Sequence, residues 1–211
     1  MHKLYYCTFV AVSVILSILF ANDIFAIPST NIVISQIKAG NKSNSRFIEI
    51  YNNSPDDIEI TDWCLYYSSP SDTTPYTELG CFNSISADAH RFLKTHSFAL
   101  IAPISVGDSN IIIDAEQGLG NGTSGHVYLM NSLGNEVDRV GWGTASNAEA
   151  NSPKILGTTK VIERKKDEIL KTYIDTGNNA NDFVNLSTLD DIFNDCSIFI
   201  NDLYLEFSLF F

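Results

Sequence analysis

The sequence predicts an all-β sandwich or barrel, and three observations lead there. Apolar residues fall in short β-branched or aromatic runs, Gly, Asn, Asp and Pro punctuate those runs, and no long segment carries a convincing helical period. Strands and helices do not alternate, which excludes Rossmann-like and TIM-type folds. Residues 30–190 read as one domain without an internal repeat or linker.

The strands follow in order. Asn31 to Ile37 is β-branched and short, and Arg46 to Asn52 is a second run, ended by Asn53-Ser54-Pro55-Asp56-Asp57. In the second run Glu49 shares a phase with Phe47 and Tyr51, opposite Ile48 and Ile50. Ile58 to Ile60 alternates apolar and acidic, and an extended Thr61–Tyr67 places Trp63 and Leu65 on one face. Ser97 to Ala102, Asn110 to Ile113 and Gly125 to Met130 are further strands. Asn131 to Asn135 is a hairpin turn into the alternating run Glu136 to Val140. Lys160 to Arg164 is a last clear strand, and Glu163 to Tyr173 has room for one short helix.

Residues 1–26 stand apart. His2 and Lys3 make a basic start, Leu4 to Ala21 is uncharged and apolar, and Ala26 is a small residue suited to cleavage. This predicts a secretory signal and a mature chain from Ile27, secreted or held at the cell surface. The competing reading is an uncleaved membrane anchor. The formal net charge is −12, so nucleic acid and anionic lipid are poor partners. At the other end, Leu203, Leu205, Phe207, Leu209 and Phe211 alternate with Asp202, Tyr204, Glu206, Ser208 and Phe210. That is a strand pattern in an apolar tail, residues 191–211, and its acids argue against a membrane span.

Export gives the cysteines a meaning. In an oxidising compartment Cys64 and Cys81 predict a disulfide closing the polar loop between them, with Cys196 left over. A metal site is the alternative, but zinc-type spacing is absent.

One ordered set of segments is informative as a whole. Ile32-Val-Ile-Ser-Gln-Ile37 precedes Arg46-Phe-Ile-Glu-Ile-Tyr-Asn-Asn53, then Ile58-Glu-Ile-Thr-Asp-Trp63 with Leu65, then Phe98-Ala-Leu-Ile101. Val127-Tyr-Leu129, Gly134, Val137-Asp-Arg-Val-Gly-Trp142, Ile162-Glu-Arg-Lys165 and Asp175-Thr-Gly-Asn-Asn-Ala-Asn-Asp-Phe183 complete it. From about Asn31 to Asn185 the chain resembles a lamin-tail domain of the exported microbial type. The resemblance implies an immunoglobulin-like β-sandwich and a non-catalytic module for adhesion, targeting or protein–protein interaction. Its partner would be a protein or a cell-envelope component. It also implies structural roles for Glu49, Asn52, Trp63, Trp142, Arg164 and Phe183. The chain departs from the family after Asp182-Phe183, where the usual Pro- and Asn-rich turn is missing.

The remaining candidates are few. Asp175, Asn178, Asn179 and Asp182 bring oxygen ligands into one loop and form a candidate calcium set, although the EF-hand pattern fails. No cofactor is otherwise implied. Asp56, Asp57 and Asp62 form an acidic edge. His90, His96 and His126 match no catalytic spacing and Gly-x-Ser-x-Gly is missing, so no catalytic residue is assigned. A metal-dependent hydrolase, or an accessory subunit of a secreted one, is the alternative function. Asn41, Asn52, Asn121 and Asn185 head glycosylation sequons.

Overall fold

The computed structural model describes residues 31–39, 46–74, 77–82, 92–102, 111–112, 119, 122–154 and 161–186. The signal segment 1–26, His90, Cys196, the sequons at Asn41 and Asn121 and the tail from residue 187 lie outside the described residues. Among the described residues no helix is long and apolar enough to cross a membrane.

Two sheets carry the fold, as the sequence predicts. The strands, in chain order, are β1 (Ile32–Lys38), β2 (Phe47–Asn52), β3 (Ile58–Glu59), β4 (Cys64–Ser68), β5 (Thr77–Cys81), β6 (Phe92–Leu93) and β7 (Phe98–Ala102). They continue with β8 (Ile111–Ile112), β9 (Gly125–Met130), β10 (Glu136–Trp142), β11 (Val161–Arg164), β12 (Lys166–Asp167), β13 (Thr172–Tyr173) and β14 (Phe183–Leu186). A single helical turn, α1 (Asn179–Asp182), precedes β14. One sheet has the order β14-β11-β1-β2-β7-β8 and the other β10-β9-β4-β5. Pairing is antiparallel except between β7 and β8.

The core lies between the sheets. Ile34, Ile48, Ile50, Ile101 and Ile162 from the larger sheet meet Leu65, Val127, Leu129, Val140 and Trp142 from the smaller. Burying each aliphatic side chain of this set contributes about 1.5–3 kcal/mol, and this drives the two layers together. β1 explains why its own sequence does not alternate cleanly. Ile32, Ile34 and Ile37 all reach the core because the register shifts at Ser35, a bulge that advances the phase by one residue.

Four local features differ from the sequence expectation. Glu163 to Tyr173 is not helical: β12 and β13 form a hairpin around it. Asp167 Oδ1 accepts the amide protons of Ile169 and Leu170, both at 2.9 Å, and Lys171 turns back at φ 58°. A side chain that satisfies turn amides locally outcompetes a helical ladder. Second, the segment between the cysteines is not all loop, since β5 pairs with β4 there. Third, the strand predicted from Thr61 begins only at Cys64, because Asp62 adopts φ 61°. Trp63 and Leu65 still both pack on the core. Fourth, β14 was not legible; it completes the larger sheet against β11.

The Cys64–Cys81 disulfide is present, joining directly opposed residues of β4 and β5 with Cα atoms 4.1 Å apart. In the chain-entropy account a loop of this length contributes about 3 kcal/mol.

The β12–β13 hairpin is mounted on the outer face of the larger sheet. Tyr51 packs on Phe98 and Tyr173, with ring centroids 4.6 and 4.9 Å away, and its hydroxyl donates to Lys171 O at 2.7 Å. Asn53 exchanges two hydrogen bonds with the backbone of Tyr173, at 2.8 and 2.9 Å.

Candidate functional site

Arg164 is the centre of the polar chemistry. It ends β11, so its side chain lies between the sheets, and that side chain is fully buried. Its Nη2 donates to both carboxylate oxygens of Asp138 on β10, at 3.0 and 2.8 Å. Its Nη1 lies 3.1 Å from Asp175 and 3.5 Å from Asp182. Its guanidinium stacks 4.7 Å above the Phe183 ring. The two remaining contacts are to the backbone: Nε donates to Ile34 O at 3.0 Å, and Nη1 to Ile174 O at 3.4 Å.

The reason for this arrangement lies in β1. β1 and β11 pair only from Gln36 to Lys38. At Ile34 the ladder has ended, and two side chains take over: Asp138 Oδ2 accepts the Ile34 amide at 2.6 Å while Arg164 takes its carbonyl. A buried peptide group needs such partners, and an ion pair in this position also straps β10 to the larger sheet. Burial pushes Asp138 up, against the pull of Arg164, and the surrounding carboxylates hold Arg164 in its charged form.

A fourth carboxyl completes the cluster. Glu149 Oε2 accepts from Asn179 Nδ2 at 3.0 Å, and burial, reinforced by Asp138 and Asp175, raises its pKa to about 8. Four carboxyls therefore gather around one guanidinium, and burial favours the protonated form of both Glu149 and Asp138. One oxygen stands out: Asp175 Oδ2 is buried without a hydrogen-bond partner, in a side chain only 5% exposed.

The four candidate calcium ligands are brought around this cluster, each with internal bonds. Asp182 accepts from Thr176 Oγ1 at 2.6 Å and from the Thr176 amide at 3.0 Å. Asn178 caps α1 by accepting from the Ala180 amide at 3.2 Å. Asn179 Oδ1 accepts from the amides of Gly141 and Glu149, at 2.9 and 3.1 Å, while its Nδ2 also reaches Arg139 O. Among the described residues the ligand atoms that approach one another as a metal set would are those of Cys64, Glu78 and Cys81. Both sulfurs of that set are in the disulfide.

The other singled-out residues hold the fold. Glu49 accepts from Ser35 Oγ at 2.7 Å, clamping the bulge. Asn52 is wholly buried; its amide donates to the carbonyls of Asp56, Leu93 and Lys94, and its oxygen accepts from the Ser54 amide. Its sequon is closed to a glycan while the chain is folded. The Asn185 amide donates to Lys154 O. Trp142 is buried in the core. His126 is buried as well: Nδ1 faces Ser69 O at 3.1 Å and Nε2 accepts from the Asn147 amide at 2.9 Å. Those partners fix a neutral imidazole with its proton on Nδ1, and burial lowers its pKa accordingly. His96, at φ 50°, lies 3.3 Å from the Tyr51 hydroxyl. Asp57 pairs with Lys94 at 2.7 Å and accepts from the Thr95 amide, which together hold its carboxyl below its usual range.

Sequence reasoning missed Asp138 and Glu149. Asp138 sits in an alternating run where it reads as a surface acid, and a register shift between Glu136 and Asp138 obscures its phase. It also missed what the hairpin displays. Ile169 and Leu170, at the tip, are 91% and 66% exposed.

Comparison with known proteins agrees with this architecture. The family model described as Lamin Tail Domain matches residues 26–144. A solved structure similar to this one is that of a DUF4876 family protein from Bacteroides thetaiotaomicron VPI-5482, with a TM-score of 0.50 and 13% identity. The likeness covers 75% of this chain and 71% of that one, and at such identity it bears on the fold alone. None of the curated proteins matches the chain. Lamin-tail domains are immunoglobulin-like β-sandwiches, generally non-catalytic, that serve as protein-interaction modules. With more than half of its length matched, the chain belongs to the lamin-tail domain family.

Proposed function

We propose that the protein is an exported, non-catalytic module for adhesion, targeting or protein–protein interaction at the cell surface. Residues 1–26 direct export in this reading, and the mature chain starts at Ile27. The observation that carries it is the β12–β13 hairpin, which displays Ile169 and Leu170 to solvent from a rigid mount on Tyr51, Phe98 and Tyr173. Large aliphatic side chains held out on an ordered turn suit a partner surface. The interior charges, in contrast, are engaged with each other and with the backbone.

Co-sedimentation with purified cell envelopes tests the reading. Saturable pelleting that is lost in the double variant Ile169→Ser, Leu170→Ser supports it. Sequencing the N-terminus of the exported protein should give Ile27 first. A robust hydrolase turnover abolished by one side-chain change would replace this reading with the enzymatic one.

The calcium reading of Asp175, Asn178, Asn179 and Asp182 rests on Asp175 Oδ2, the one buried oxygen of that loop without a hydrogen-bond partner. Titration of Ca²⁺ into the protein by calorimetry decides it: a stoichiometric heat abolished by Asp175→Asn supports the site, and no heat removes it.

A further inference from the structure

The outer face of the smaller sheet carries a second cluster of metal-binding side chains. On β4, Leu65 points into the core, so its neighbours Cys64 and Tyr66 point outward. On β5, Leu79 is the core residue. Glu78 and Cys81 are three residues apart, and a regular strand would send them to opposite faces. They share the outer face because the β4–β5 register shifts between them: Gly80 opposes Leu65, Glu78 opposes Tyr66 and Leu79 is left over. The bulge therefore brings the Glu78 carboxylate beside both cysteines, and the three ligand atoms all lie within 4.8 Å of one another.

Two thiolates and a carboxylate suit a cation of the zinc class and leave a fourth position for water. At about 2.3 Å from one tetrahedral cation, two sulfurs stand about 3.8 Å apart, a spacing that directly opposed strand residues reach by side-chain rotation. The backbone holds the two positions together without the sulfur–sulfur bond. β4 pairs with β9 on its other side, and the Phe82 amide donates to Trp63 O at 3.0 Å, one residue beyond the cysteines. Leu65 and Leu79 anchor both strands in the core. The Tyr66 hydroxyl reaches Glu78 Oε2 at 3.4 Å and orients the carboxylate. Glu78 is exposed and the cysteines are half-buried, so a reductant and a cation both have access.

We propose that reduction of the Cys64–Cys81 disulfide opens a metal site in which Cys64 Sγ, Cys81 Sγ and Glu78 hold one zinc-class cation. A dithiol supplies the two electrons and two protons: its own sulfurs close into a disulfide, and Cys64 and Cys81 become thiols. The cation then displaces both thiol protons to solvent. Oxidation reverses the exchange and expels the cation, because the two sulfurs cannot serve the cation and each other at once. The site is independent of the surface-module reading.

Titration of Co²⁺ into the full chain, oxidised or reduced with a phosphine, tests it, because thiolate-bound cobalt absorbs strongly in the near ultraviolet. The expected result is a band that saturates at one cation per reduced chain, is displaced by Zn²⁺ and is missing from the oxidised chain. The double variant Cys7→Ser, Cys196→Ser should keep the band. Reduced Glu78→Ala should bind Zn²⁺ at least about tenfold more weakly, since even the outer partners of a metal site are worth that much. This variant retains both cysteines, and circular dichroism of its oxidised form checks that it folds. The absence of a band on reduction would overturn the proposal. So would a Zn²⁺ affinity that Glu78→Ala leaves unchanged, a band lost with Cys7 and Cys196, or loss of the β-sheet signal on reduction alone, since the site needs the β4–β5 ladder intact.

Discussion

Arg164 and Lys165 are neighbours in sequence and opposite in use. Arg164 points between the sheets, where each of its own donors has a partner and one cation holds Asp138, Asp175 and Asp182 around a gap in the β1 ladder. Lys165 points out, and its ammonium donates to the Asn181 carbonyl at the surface. The contrast teaches how this small sandwich divides its charges. Those inside serve as straps between strands that cannot pair, and those outside make short-range surface contacts, Lys165 with the Asn181 carbonyl and Lys171 with Glu168. Strand alternation alone makes the division, since adjacent residues of an extended chain face opposite ways.

The largest effect should come from breaking the inner half. Arg164→Met removes the cation and strands three buried carboxylates, which costs about 3–5 kcal/mol. Equilibrium unfolding in urea should show it as a fall in midpoint; a loss below about 1 kcal/mol would mean that the cluster is hydrated and the strap idle.

An intermediate effect sharpens the comparison through pH. The Glu149 carboxyl titrates near 8 in the folded chain, against an ordinary value of 4.5. Between those values the folded state holds a proton that the unfolded chain has released, so stability falls as pH rises through this window. The slope is at most about 1.4 kcal/mol per pH unit. His126 tilts the other way: its lowered value means that stability is lost as pH falls below 6.5. Unfolding measured between about pH 7 and pH 9 isolates Glu149 from His126, and Glu149→Gln should flatten the slope there. An unchanged slope would assign the proton to another carboxyl of the cluster.

The smallest effect belongs to the outer half. Ile169→Ser with Leu170→Ser should change stability by less than about 0.5 kcal/mol, because both side chains are already in water. A loss of several kcal/mol would show that the tip is packed and would remove it as an interaction surface.

The sequence carried the strands of the core well, because Ile48, Ile50, Val127 and Leu129 alternate with polar or outward residues in runs bounded by turn formers. Its blind spots have physical causes. The bulge at Ser35 breaks the period of β1. Asp167 capping its own turn makes a hairpin from residues with helical composition. Arg164 and Asp138 both fall in the ordered set of segments, but that Asp138 and Glu149 are buried beside Arg164 was not legible, since nothing local distinguishes a buried acid from a solvated one. Such a residue is recognised only once strands far apart in sequence are brought together.

That distance sets a clock. The Ile34 carbonyl waits for a guanidinium 130 residues downstream. At about 5–20 residues per second of synthesis, the first strand is made roughly 6–26 s before its last donor exists. During that interval the N-terminal strands can pair with each other, yet the seam at Ile34 stays unsealed. Completion of this fold is therefore a late event, since β11 and after it β14 follow all the strands they close upon.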